Sequence, residues 1–106
     1  MAEKLLELLK KGTSAVMVVR EAEKQLKEAG FEELRFSDTW GLTEGGKYYM
    51  KHHDTTLLAF TVAEQIECKE GFRIAAAHTD FPCLRIKPNP DIVTNGYAQV
   101  NVEVYG

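Results

Sequence analysis

The sequence predicts an α/β fold in which two amino-terminal helices pack on a mixed β-sheet. Apolar residues recur at helical spacing up to Gly30, and after Phe31 they alternate with polar residues in several short runs. A compact apolar run also lies at residues 72–77. The chain has 106 residues, 44% of them hydrophobic and 27% charged, which fits a single domain over residues 1–106.

The first predicted element is a short helix with a leucine stripe, and it ends at Gly12. We expect Gly12 to adopt the left-handed conformation that glycine takes without steric cost. Either Thr13 or Ser14 should cap a second helix by accepting a hydrogen bond from its first free amides. The second helix is expected to end at Gly30.

Alternation then predicts three strands, at residues 33–36, 47–52 and 56–62. The last two are close enough in sequence to form a hairpin through the connection at 53–55. The polar stretch 63–71 is typical of a surface loop.

Two further strands are predicted in the carboxyl-terminal part of the chain. Leu84 and Ile86 alternate with basic residues, and Pro88 and Pro90 should end that strand because proline cannot donate to a β-ladder. Strict alternation at 98–104 predicts a half-buried strand whose outer edge is open to a partner.

The candidate site follows the apolar run 72–77, which we expect to be a strand covered on both faces with His78 at its carboxyl end. One nitrogen of a neutral His78 ring can bind Zn²⁺ while Asp80, on the same side of an extended segment, holds the other nitrogen. A hydrolytic zinc ion needs about three protein ligands and one open position for water, so this segment alone is incomplete. The alternative is that His78 ends a strand and Asp80 begins a turn before Pro82.

Other candidate ligands have simpler structural explanations. His52 and His53 should point to opposite faces of a strand, so at most one could bind a metal, and positions beside a turn explain both. Arg85 and Lys87 could hold an acidic substrate side chain, although a solvent-facing side of a strand requires fewer assumptions. Cys83 could be a soft metal ligand, but a small core residue is the favoured interpretation.

Composition excludes several classes of function. With 13 basic and 16 acidic side chains, the chain has a net charge of -3 and no basic surface for nucleic acid. Because charged residues interrupt the leucines of residues 1–11 and no apolar run is long enough to cross a bilayer, we expect a cytoplasmic protein without a membrane partner. Cys68 and Cys83 are expected to be reduced thiols. The sequence has no glycine-rich phosphate loop and no nucleophilic-serine motif.

Residues 71–90, GFRIAAAHTDFPCLRIKPNP, resemble the first metal-site segment of the aspartyl aminopeptidase family of zinc metallopeptidases. Further pieces occur in the order that the family shows. These are LLELLKK at 5–11, AGFEEL at 29–34, WGL at 40–42, GGKYY at 45–49 and VEVYG at 102–106. Phe81 stands where the family usually has serine, and Met17 stands at a usual histidine position, which puts any role of that histidine in doubt.

The resemblance covers essentially the whole chain but only the amino-terminal part of a family member. It implies a partial zinc-aminopeptidase catalytic domain of the phosphorylase/hydrolase-like type. The complete enzyme would bind two zinc ions, remove an amino-terminal, typically acidic, residue from a peptide substrate, and form homo-oligomers. His78 would be a zinc ligand and Asp80 the catalytic residue that orients it. The other ligands would lie outside residues 1–106, so these residues alone are expected to be inactive.

A second function remains open from the residues themselves. A strand with an unpaired edge at 98–104 can pair with another chain, so the protein could instead be a non-catalytic module. Such a module would associate with itself or with a full-length relative.

Overall fold

The computed structural model describes residues 1–65 and 71–106, which form two helices, a three-stranded sheet and a two-stranded hairpin. This confirms the predicted class, two helices with a mixed sheet. Within these residues no helix is long and apolar enough to cross a membrane. In chain order the elements are α1 (Ala2–Lys11), α2 (Ala15–Glu28), β1 (Glu32–Glu33), β2 (Lys47–His52), β3 (Thr56–Thr61), β4 (Cys83–Thr94) and β5 (Tyr97–Tyr105).

The connection between the two helices depends on one cap and one glycine. Ser14 is the cap of α2, because its Oγ accepts a hydrogen bond from the backbone N–H of Met17 at 3.3 Å. Gly12 is not left-handed as predicted, since its φ is -76°. A glycine is instead required at position 12 because there is no room for a side chain: a Cβ there would lie 2.8 Å from both the Leu8 carbonyl oxygen and Val18 Cγ2.

Strand β2 is the centre of the mixed sheet, with β1 parallel on one side and β3 antiparallel on the other. The predicted hairpin between β2 and β3 is confirmed, and His53 turns the chain with a φ of +53°. The first predicted strand is shorter than expected, because residues 34–36 leave the sheet after Leu34 donates its N–H to the Tyr49 carbonyl. Three consecutive β2 side chains are buried, namely Tyr48, Tyr49 and Met50.

Helix α2 is fastened to β2 by the carboxylate of Glu23, whose side chain is only 12% exposed. Oε1 accepts hydrogen bonds from Lys27 Nζ at 2.9 Å and from the Tyr49 hydroxyl at 3.1 Å, and Oε2 accepts one from Lys51 Nζ at 2.9 Å. These donors, Lys27 first and Lys51 next, lower the pKa of Glu23 from 4.5 to about 2. Burial, followed by the hydrogen bond to Glu23, raises the pKa of Tyr49.

The run 72–77 is not a strand, which corrects the prediction of a strand covered on both faces. Its residues form no regular secondary structure, and Phe72 and Ile74 are 96% and 85% exposed. The apolar composition indicates a tendency to pair, but a strand also needs a neighbouring edge, and the described residues bring none to this segment.

Two other predictions fall at or beside this region. Cys83 is exposed, so its interpretation as a core residue is wrong, although it is a free thiol as expected. Cys68, and residues 66–70 of the surface loop predicted at 63–71, lie outside the described residues.

The prolines do not end their strand, because β4 continues through Pro88 and Pro90 to Thr94. The pairing of β4 with β5 shifts register between Ile86 and Asp91. A bulge of this kind removes the need for proline to donate a ladder hydrogen bond, which explains why both prolines are tolerated inside the strand.

The β4–β5 hairpin leaves an apolar face in solvent. Residues 98–104 form a strand as predicted, and one edge of this strand pairs with β4. The strand is mostly exposed, although half of its side chains were expected to be buried. Because paired residues share a face, the register places most of the hairpin's apolar side chains on one side, where Asp91, opposite Val100, is the one charged member. We call this the hairpin apolar face, and its most exposed members are Leu84, Ile86, Val93, Val100 and Val104.

We predict that Glu23→Gln lowers the free energy of unfolding by about 1–2 kcal/mol near neutral pH, because the lysine ammonium groups lose a charged acceptor. The folded-state pKa of Glu23 is depressed, so this difference should be complete above pH 4.5 and should disappear as the pH falls toward about 2. Urea unfolding of both proteins at several pH values measures it.

The matched control is Glu28→Gln, a carboxylate on the same helix that is 55% exposed and 3.8 Å from Lys24. This variant should unfold like the unchanged chain, because exposed ion pairs add little stability. Equal destabilisation by the two variants would contradict the assigned role of Glu23.

Candidate metal-ligand site at His78

The segment that leads into β4 carries His78 and Asp80, bends at Thr79, and is tied to the three-stranded sheet by the Thr79 side chain. The hydroxyl of Thr79 donates to the backbone carbonyl of Thr55 at 3.0 Å, in the turn between β2 and β3. A concavity of about 460 Å³ lies beside this contact. Its lining includes Thr55, Leu57, His78, Asp80, Arg85 and Tyr105.

The imidazole of His78 is held at one nitrogen and open at the other. Nδ1 lies 2.7 Å from the backbone oxygen of Asp80 and 3.1 Å from its carboxylate Oδ1, while the side chain is 81% exposed. Both neighbours are oxygen acceptors, so Nδ1 must carry the proton that it donates. In the neutral ring Nε2 then keeps its lone pair, which is the arrangement of a metal-binding histidine braced by a carboxylate.

Asp80 is fixed from its other side by Tyr105. The Tyr105 hydroxyl donates to Asp80 Oδ2 at 2.6 Å. This hydrogen bond lowers the pKa of Asp80, with further contributions from the residue's own backbone N–H and from His78. The same contact raises the pKa of the Tyr105 hydroxyl. Asp80 is therefore a carboxylate at neutral pH, with one oxygen toward His78 and one toward Tyr105.

Tyr105 is the site residue that sequence reasoning did not identify. It lies within VEVYG at 102–106, a piece that carried the family resemblance, but no chemistry was assigned to it. Its separation of 25 residues from Asp80 gave no local signal of contact.

Arg85 brings a positive charge to the same concavity. Its guanidinium carbon lies 4.2 Å from the centroid of the Tyr105 ring, which is the geometry of a cation–π contact. Among the described residues no carboxylate forms an ion pair with Arg85. The interpretation of Arg85 as only a solvent-facing residue is therefore incomplete, whereas Lys87 does not line the concavity.

His52 and His53 are not brought to this concavity. The expectation that they point to opposite faces is wrong, since their ring centroids lie only 4.2 Å apart. The reason is that His53 belongs to the turn, where its φ of +53° swings its side chain toward that of His52.

The donor set fits one zinc ligand with its orienting carboxylate, and not a complete zinc site. Within residues 1–65 and 71–106 no group of three or more histidine, cysteine, aspartate or glutamate side chains could hold a metal ion. Both Asp80 oxygens are occupied by Tyr105 and His78, which suits an orienting residue better than a direct ligand.

The chain is similar to known proteins in both sequence and structure. A family model described as aminopeptidase I zinc metalloprotease (M18) matches residues 8–106. A Clostridium acetobutylicum protein named "Probable M18 family aminopeptidase 2" is 42% identical over 106 residues, or 99% of this chain and 24% of that protein. The protein of the same name from Pseudomonas aeruginosa PAO1 is 39% identical over 102 residues, or 96% of this chain and 24% of that protein.

Two solved structures share the fold at 29% sequence identity. Ape4, in its complex with Nbr1, superposes with a TM-score of 0.86 over 95% of this chain and 20% of that chain. Chaetomium thermophilum mApe1 superposes with a TM-score of 0.82 over 96% of this chain and 24% of that chain.

The chain spans about a quarter of the length of the curated relatives that it matches. The family recognised from the motifs is confirmed, and so is the interpretation of the fold as a partial α/β domain. Because the family model covers nearly the whole sequence, the chain belongs to the M18 family of zinc metalloproteases, the family of aminopeptidase I.

Proposed function

We propose that residues 1–106 act as the amino-terminal part of a zinc-dependent aminopeptidase catalytic domain, to which they contribute His78 as one zinc ligand and Asp80 as its orienting residue. The observation that carries this proposal is the braced imidazole, with Nδ1 3.1 Å from Asp80 Oδ1 and Nε2 open at the rim of a concavity. Membership of a zinc metalloprotease family supports the choice of metal.

The residues of this chain would prepare the ligand, and groups outside the described residues would complete a site for two zinc ions. Asp80 keeps the proton of His78 on Nδ1 and so leaves the lone pair of Nε2 available to a metal ion beside the concavity that His78 lines. Its negative charge also makes the imidazole a more basic ligand. Bound zinc supplies polarisation of the scissile carbonyl and a water molecule of lowered pKa.

Substrate choice in this proposal depends on Arg85. A peptide whose amino-terminal residue is acidic would bring a carboxylate into the concavity that Arg85 lines. The guanidinium is held against the Tyr105 ring and has no carboxylate partner among the described residues, so it is available for this role. We accordingly propose aspartate or glutamate as the residue released. A cytoplasmic location is proposed as well, and the free thiol of Cys83 supports it.

A second candidate function is self-association through the hairpin apolar face, either as a non-catalytic module or as part of a homo-oligomeric enzyme. The observation that favours it is the exposure of Leu84, Val93 and Val104, which are 68%, 80% and 87% exposed on one face. Large exposed apolar patches mark interaction surfaces in soluble proteins.

The ligand role of His78 can be tested in a chimera in which residues 1–106 replace the matching segment of the Clostridium acetobutylicum relative. The unchanged chimera should release amino-terminal acidic residues, whereas the isolated chain should release none. His78→Ala should lower kcat/KM by at least about a hundredfold and Asp80→Asn by about ten- to a hundredfold, with loss of bound zinc. Peptidase assays and metal analysis by mass spectrometry measure both effects.

His53→Ala is the matched control, because His53 lies in the turn outside the concavity. It should keep the zinc content and the rate of the chimera. Undiminished zinc and activity in His78→Ala would refute the ligand role. Metal-dependent peptidase activity of the isolated chain would refute the view that these residues are an incomplete site.

The second prediction concerns substrate choice in the same chimera. Arg85→Gln should lower kcat/KM for substrates with amino-terminal aspartate by about ten- to a hundredfold and leave amino-terminal leucine substrates nearly unchanged, because a charged partner is lost. Lys87→Gln is the control and should change neither, since Lys87 does not line the concavity. An equal loss on both substrates would count against a role of Arg85 in specificity.

The third prediction tests the second candidate function by light scattering of the isolated chain. The mean mass should rise with protein concentration, and Leu84→Glu should abolish the rise by placing a charge on the hairpin apolar face. Gln99→Glu adds the same charge to the opposite face and should leave the rise intact. A chain that stays monomeric at high concentration would exclude this candidate.

A further inference from the structure

We infer that Tyr105 is a positioning residue of the candidate site: its hydroxyl fixes the carboxylate of Asp80 and, through that carboxylate, the ring of His78. That this positioning serves a zinc ligand rests on the proposed function. That Tyr105 positions Asp80 and His78 rests only on the geometry of the three side chains.

The carboxylate of Asp80 is held at both oxygens. Oδ2 accepts the Tyr105 hydroxyl at 2.6 Å, and Oδ1 lies 3.1 Å from His78 Nδ1. The first distance is typical of a short charge-assisted O–H···O⁻ hydrogen bond. When both oxygens of the Asp80 carboxylate are held, neither χ1 nor χ2 of Asp80 can change without losing one partner. The Tyr105 hydroxyl therefore restricts the direction in which Oδ1 faces His78.

The position of Tyr105 is itself determined by the hairpin. It is the last residue of β5, and it pairs with Cys83 at the base of β4. The guanidinium of Arg85 lies 4.2 Å from its ring centroid. The register of β4 with β5 therefore sets where the hydroxyl stands.

The site residues need this support because they are exposed. The side chains of His78 and Asp80 are 81% and 46% exposed, and packing alone does not select one rotamer for either. The tether from Thr79 to Thr55 fixes the backbone between them but neither side chain. The hydrogen bond from Tyr105 fixes the Asp80 side chain and, through it, the direction of the His78 ring. A ring that is held in place before a metal ion arrives loses less entropy when it binds that ion.

The test is Tyr105→Phe, which removes one hydroxyl, studied by NMR in the isotope-labelled 106-residue chain without metal at a pH where His78 is neutral. In the unchanged chain Asp80 should occupy one χ1 rotamer, and the Nδ1 proton of His78 should exchange slowly with water. In the variant we expect averaged Asp80 couplings and proton exchange about tenfold faster, because only the backbone oxygen of Asp80 still accepts from Nδ1.

Tyr97→Phe is the matched control. Tyr97 lies on the same strand, is 71% exposed, and its hydroxyl has no hydrogen-bond partner among the described residues. This variant should reproduce the unchanged spectra. A single Asp80 rotamer and unchanged exchange of the His78 proton in Tyr105→Phe would overturn the inference.

A second measurement covers the case in which Tyr105→Phe disturbs the hairpin, visible as loss of the cross-strand contact between Leu84 and Val104. A deuterium isotope shift on the Cζ carbon of Tyr105 in the unchanged chain detects a hydrogen-bonded, slowly exchanging hydroxyl. Its presence supports the inference, and a hydroxyl in fast exchange overturns it.

Zinc separates this inference from the proposed function. In the chimera at limiting zinc, Tyr105→Phe should be slower than the unchanged protein because its ligand is less well positioned. Excess zinc should restore the rate of Tyr105→Phe but not that of His78→Ala, because the first variant keeps its ligand. If His78→Ala leaves zinc and activity intact, the proposed function fails while the NMR result still decides the role of Tyr105. If zinc cannot restore Tyr105→Phe although its fold is intact, Tyr105 does more than position the ligand and the inference is wrong.

Discussion

The carboxylate of Glu23, only 12% exposed, links the helical layer to the sheet. Removing a carboxylate from water is costly unless charged donors surround it, and here two lysine ammonium groups and the Tyr49 hydroxyl do so. Lys27 lies on α2 itself, whereas Lys51 and Tyr49 lie on β2, so the contact turns the Glu23 face of α2 toward β2. Because β2 is the central strand, its position then sets those of β1 and β3.

The candidate site lies where the three-stranded sheet and the hairpin meet. Thr79 joins its segment to the β2–β3 turn, and Asp80 joins it to Tyr105 at the end of β5. His78 stands between these contacts with one nitrogen held and one open. The arrangement explains how a side chain so exposed can have a defined direction, and it makes the candidate site dependent on the pairing of two strands that lie after it in the sequence.

Much of the local structure was predictable because it depends on neighbours in sequence. The two helices, the hydroxyl cap at Ser14 and the β2–β3 hairpin follow from periodicity and from the chemistry of individual residues. The family, and with it the candidate roles of His78 and Asp80, followed from motifs in consecutive residues. Their spacing of two residues also predicted that the two side chains could meet, although the chain bends at Thr79 and does not run extended.

The sequence by itself determined the two helices, the β2–β3 hairpin and the family, and it predicted His78 and Asp80 as the candidate ligand and its orienting carboxylate, because each of these is encoded within a few consecutive residues. Only the tertiary structure decided that 72–77 has no partner strand, that β4 passes its prolines through a bulge, and that Gly12 is required for space. It alone brought Tyr105 to Asp80, 25 residues away. Such contacts depend on which edges and faces meet, and that information is absent from the periodicity of any single segment.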